Sequence, residues 1–93
     1  MNIELLVVNL RLHGCTSLKD KRQRLGGLKD RFGRLSNVSV CESDFQDMLG
    51  QAQWSFLAIA LDGKIAGSIL SKIEHYISTE VDAVITNIHR ERL

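Results

Sequence analysis

Two helix-patterned stretches, each enclosed between apolar strand-like runs, constrain this chain more than any other feature. "NIELLVVNLRLH" (2–13) is apolar with a β-branched centre and stops at Gly14, so it reads as a strand. Ser17 suits an N-cap, with Asp20 three residues on as a shortened capping box. Leu18, Leu25, Leu28, Phe32 and Leu35 then repeat on one helical stripe. Gly26 and Gly27 cost that helix about 1 kcal/mol each against alanine, which suggests close packing against a neighbour. "NVSVCESDF" (37–45) alternates as a half-covered strand, and "AQWSFLAIAL" (52–61) is apolar throughout, as a central strand is. "KIAGSILSKIEHYIS" (64–78) spaces Ile65, Ile69, Ile73 and Ile77 four apart, a helix opened by Asp62. "EVDAVITNIHRE" (80–91) returns to strand character.

The order β-α-β-β-α-β predicts two split β-α-β units. Their standard solution is an α+β ferredoxin-like sandwich: a four-stranded antiparallel sheet, order 4-1-3-2, with both helices on one face. With no proline and no linker-like tract, 93 residues read as a single domain over 1–93. No run is long enough to span a membrane, and the first residues lack a basic, cleavable leader, so the expectation is a cytoplasmic protein without a membrane partner. In that compartment Cys15 and Cys41 are expected to stay reduced.

Charge is segregated. Lys19 to Arg34 holds seven cations and two anions, a balance of +5, against five cations and nine anions elsewhere, −4. Lys19, Lys21, Arg22 and Arg24 crowd the helix start, where the macrodipole disfavours each exposed cation by about 0.3–1 kcal/mol. A wheel at 100° per residue puts Lys21 within the apolar stripe. The predicted topology brings the bend between the second and third strands beside it, so Lys21 is expected to form a structural salt bridge with Glu42, Asp44 or Asp47. Lys19, Arg22, Arg24 and Arg31 point outward. They are the candidate nucleic-acid contacts, since phosphates would offset the dipole penalty; a plain solvated helix face is the alternative.

Both faces of the central strands are oily while the helices cover one. A bare apolar face of roughly several hundred Å² predicts a homo-oligomer. Leu5, Val7, Trp54 and Phe56 are the interface candidates, and the two aromatics are the only ones there that could stack bases.

"SLKDKRQRL" after a first strand, "NVSVCES" as the second and "QDMLGQA" leading into the third resemble the YlxP-like family, small bacterial proteins of unknown function. Cys41, Leu49 and Gln51 stand where the family pattern tends to alanine, tryptophan and arginine. The resemblance implies a ferredoxin-like fold and genes neighbouring those of transcription, translation and ribosome maturation, hence a partner such as RNA or a ribosomal particle.

The chemistry-bearing residues point away from catalysis. An acylphosphatase-like phosphohydrolase, sharing this fold and binding phosphate where "HGCTS" stands, is a remote third reading, since only Gly14 and a nearby arginine remain of the V-Q-G-V-x-F-R cradle. His13, Cys15 and Cys41 lack zinc spacing, and His75 and His89 lack an evident nucleophile or carboxylate partner. Glu42, Asp44 and Asp47 as a magnesium site is a weaker reading than the Lys21 bridge. The expectation is a non-enzymatic binding module without metal or cofactor: an RNA binder, or an assembly protein dimerising through its sheet.

Overall fold

Ser17 and Asp62 start the two helices. The Asp20 amide donates to Ser17 Oγ at 3.0 Å, and the Lys64 amide donates to Asp62 Oδ1 at 2.8 Å. Each cap satisfies one of the amides a helix leaves unpaired at its first turn. The computed structural model describes residues 1–93. Its elements are β1 (Asn2–Arg11), α1 (Leu18–Phe32), β2 (Val38–Asp44), β3 (Gln51–Ala60), α2 (Gly63–Glu80) and β4 (Val84–Arg92). β4 begins later than its sequence pattern suggests because α2 runs on to Glu80. Ser78 Oγ and Thr79 Oγ1 both donate to the His75 carbonyl, at 2.8 and 2.9 Å, within that last turn.

The sheet order is β2-β3-β1-β4 with every neighbouring pair antiparallel, and both helices lie over one face: a ferredoxin-like sandwich. In the β1–β3 register Leu6 stands opposite Phe56, Val8 opposite Trp54 and Leu10 opposite Ala52. Residues paired this way share a face, and here it is the helix side. α1 buries Lys21, Leu25, Leu28 and Phe32 against it; α2 buries Ala66, Leu70, Ile73 and Ile77. Leu18, Leu35 and Ile65, predicted on those stripes, are exposed at the helix margins. Phe32 joins the layers edge-on, 5.3 Å from Tyr76 and 6.1 Å from Phe56 between ring centres.

This register corrects the predicted interface. Trp54 is 6% exposed and Phe56 fully buried, so neither lies on the bare face. The open side carries Ile3, Leu5 and Val7 from β1 opposite Ile59, Leu57 and Ser55 from β3. Both parities of β3 are apolar, so alternation cannot choose between them. Size does: an aromatic buries about 150–250 Å², and only the side roofed by helices can cover that much. With Trp54 and Phe56 inside, neither can stack bases from the open sheet face.

β4 contains a register shift opposite Asn9 and Leu10. The irregularity at Thr86 lets Ile85 and Ile88, three apart, stand beside Leu10 and Val8 on the helix side.

Candidate functional site

Three surfaces could carry function: the end of the sheet where α1 starts, the groove beside α1, and the uncovered sheet face.

At the sheet end Gly14 takes φ +68° to leave β1, and Phe45 takes φ +62° in the bend after β2. The second costs on the order of 1–2 kcal/mol, since a side chain crowds the backbone in that region. Lys21 is what holds this bend. It is 3% exposed, and its Nζ donates to the carbonyls of Phe45 and Met48, each at 2.7 Å. The Leu12 amide donates to the Gly50 carbonyl at 2.9 Å and closes the other side. The predicted docking of the helix start onto this bend is present, and its chemistry differs. No carboxylate of Glu42, Asp44 or Asp47 lies within 4 Å of Lys21; Asp44 Oδ1 instead accepts from the Phe45 amide at 2.7 Å. The left-handed turn at Phe45 points two backbone carbonyls inward, which no side-chain inventory reveals.

The four outward cations separate into two kinds. Arg24 is structural: its Nε donates to the Asp82 carbonyl and its Nη1 to the His13 carbonyl, both at 2.9 Å. It also meets the carboxylates of Asp82 at 3.3 Å and Asp20 at 3.6 Å. It thereby joins α1 to the loops entering α1 and β4. Arg31 lies 4.5 Å over the Tyr76 ring, a cation–π contact. Lys19 and Arg22 are exposed and make no ion pair, as do Lys29 and Arg34 further along.

The groove, of about 540 Å³, runs between α1 and the side of β2 with its bend. Arg22, Gly26 and Lys29 line the helix wall; Glu42, Gln46 and Asp47 line the other. Lys21, Leu25 and Trp54 reach it from below. A Cβ at Gly26 would meet nothing within 4 Å, because that position faces the groove; one at Gly27 would stand 3.9 Å from the Tyr76 hydroxyl. Gly26 therefore leaves the groove open, while Gly27 is exposed and a side chain there would make only an ordinary contact, so the close packing expected of the pair is not what it provides. Trp54 Nε1 is buried and has no hydrogen-bond partner. The sequence signals for this groove were Gly26 and the polar Glu42 at a core-facing position of β2.

On the bare face Ile3, Leu5, Val7, Leu57 and Ile59 form a half-exposed aliphatic centre. Polar side chains frame it: Asn9 beside Gln53 and Asn87, Ser39 and Cys41 on β2, His89 and Glu91 on β4. No group of three His, Cys, Asp or Glu side chains stands close enough together to hold a metal ion, and no helix is long and apolar enough to cross a membrane.

The chain belongs to the DUF503 family, described as "protein of unknown function", whose model matches residues 3–90. Curated proteins give no significant match. Similar solved structures include the de novo designed protein Ferredog-Diesel, 10% identical with a TM-score of 0.57, the match covering 96% of this chain and 83% of that one. A dimeric ferredoxin-like protein from an uncultured marine organism is 7% identical with a TM-score of 0.59, over 100% and 96% of the two chains. At such identities the likeness establishes the fold.

Proposed function

We propose that this DUF503 member is a non-enzymatic binding module that works as a homodimer, two copies joined through their bare sheet faces. The observation that carries this is the aliphatic centre of that face, left without cover by the protein's own chain. A second copy is the occupant that fits. The patch holds no cation stripe and, apart from His89 on its frame, no aromatic ring for nucleic acid, and its aliphatic centre within a polar frame is complementary to itself under a two-fold axis. The similar marine fold is itself described as dimeric, in keeping with this arrangement. Sedimentation at micromolar concentration should return a mass near twice 10.5 kDa. A single-chain mass throughout the concentration range overturns the proposal.

A second reading, compatible with the first, assigns the outer face of α1 to an RNA backbone, free or in a ribosomal particle. It is favoured by exposed Lys19, Arg22, Lys29 and Arg34 standing without carboxylate partners, and by the YlxP-like resemblance of "SLKDKR". Two copies would display two such faces. Binding of a single-stranded RNA should weaken steeply with salt. The Lys19→Ala/Arg22→Ala pair should lower affinity and reduce the salt slope by about 1–2 units while leaving thermal unfolding unchanged. Unaltered affinity in that variant removes α1 from RNA binding. Arg24 is unsuitable for this test because its loss would loosen the loops it ties.

A further inference from the structure

We propose that the groove between α1 and β2 binds a small zwitterion: a molecule presenting a carboxylate and an ammonium, as a free α-amino acid or an unblocked dipeptide does. The site is independent of the dimer contact, which lies on the opposite side of the sheet.

Its floor lacks acceptors. Lys21 is a buried ammonium with no carboxylate within 4 Å; two of its three protons go to the Phe45 and Met48 carbonyls and the third has no partner. Trp54 also lines the groove; it is 6% exposed, and its buried indole N–H has no partner. Buried polar groups are nearly always paired, so the unpartnered indole N–H and the spare proton of the Lys21 ammonium both favour an anionic oxygen.

Its walls carry opposite charge. Arg22 and Lys29 stand on the helix side, Glu42 and Asp47 on the strand side, and none of these forms an ion pair. Asp30 adds a carboxylate at the helix edge. A simple anion would gain from one wall and be repelled by the other. A ligand carrying both charges satisfies both, with its carboxylate toward Lys21, Arg22 and Trp54 and its ammonium toward Glu42 and Asp47. Leu18 and Leu25 supply an apolar stretch for an aliphatic side chain. The volume lies within the range of small-molecule sites.

Trp54 is the only tryptophan, so its fluorescence and its indole proton resonance report this groove directly. L-Leucine and glycylleucine are the probes; the tighter of the two defines the ligand's length. At least one should give a saturable fluorescence change and move the indole proton downfield. 4-Methylpentanoate, which is leucine without its ammonium, and isoamylamine, lacking the carboxylate, should bind at least about tenfold more weakly. Arg22→Gln and Glu42→Gln should each weaken binding by about tenfold with folding intact, since both side chains lie toward the rim. No saturable change up to about 10 mM with either probe overturns the proposal. So does equal binding of 4-methylpentanoate or inorganic phosphate, which would make the groove a plain anion site.

Discussion

Lys21→Ala is expected to lower the stability of the fold by about 2–4 kcal/mol, the largest effect of any charged residue in the chain. The alanine removes two hydrogen bonds from a charged donor, to the Phe45 and Met48 carbonyls, and leaves a cavity where a side chain 3% exposed had packed. The Met48 carbonyl would lose its donor, while that of Phe45 keeps the Met48 amide at 3.0 Å. The left-handed conformation of Phe45 would lose one of the contacts that hold it, keeping those to Asp44 Oδ1 and the Met48 amide. Lys21→Met separates the contributions. It preserves most of the packing and removes a buried charge whose desolvation is itself unfavourable, so its cost should be about half as large. Urea unfolding measures both: the midpoint falls and the denaturant slope stays constant. Amide exchange should quicken between Phe45 and Gly50 before it does in the helices. An unchanged midpoint in Lys21→Ala would show that the bend holds itself.

Lys21 also marks how far the sequence can be read. Its inward position follows from helical periodicity, a local property, and the structure has it there. Its partners depend on a turn 24 residues away whose carbonyls point inward because Phe45 adopts an unusual φ. Side-chain chemistry alone nominated the neighbouring carboxylates. Arg24 is a similar case: its contact with Asp82 spans 58 residues and arises only once the loops entering α1 and β4 meet. Element order, both N-caps and the sheet topology were legible because caps and alternating patterns are local and crossover handedness leaves few arrangements. The groove was half legible. Gly26 and Glu42 break the expected pattern of helix and core strand, but the unpaired Trp54 nitrogen is a property of packing.

Adjacent residues 56 and 57 should separate folding from assembly. Phe56→Ala removes a fully buried ring that lies opposite Leu6 and Val40 and meets Phe32 edge-on at 6.1 Å. Such truncations cost about 3–5 kcal/mol, which in a domain of this size approaches its whole margin. Leu57→Lys places a cation on the other face, between Leu5 and Ser39. In a lone copy the lysine stem can lie along the aliphatic patch with its ammonium in water, so the fold should survive with a native circular dichroism spectrum. In a dimer the charge would be trapped in an apolar interface, and association should weaken by at least about tenfold. Sedimentation and thermal unfolding, both run at one protein concentration because dimer stability depends on it, read the two effects separately. The expected pattern is a destabilised Phe56→Ala chain and a folded, single-chain Leu57→Lys protein. The reverse, a folded monomer from Phe56→Ala and an intact dimer from Leu57→Lys, would mean that β3 turns its other side to the partner, and the register that buries Trp54 would fall with it.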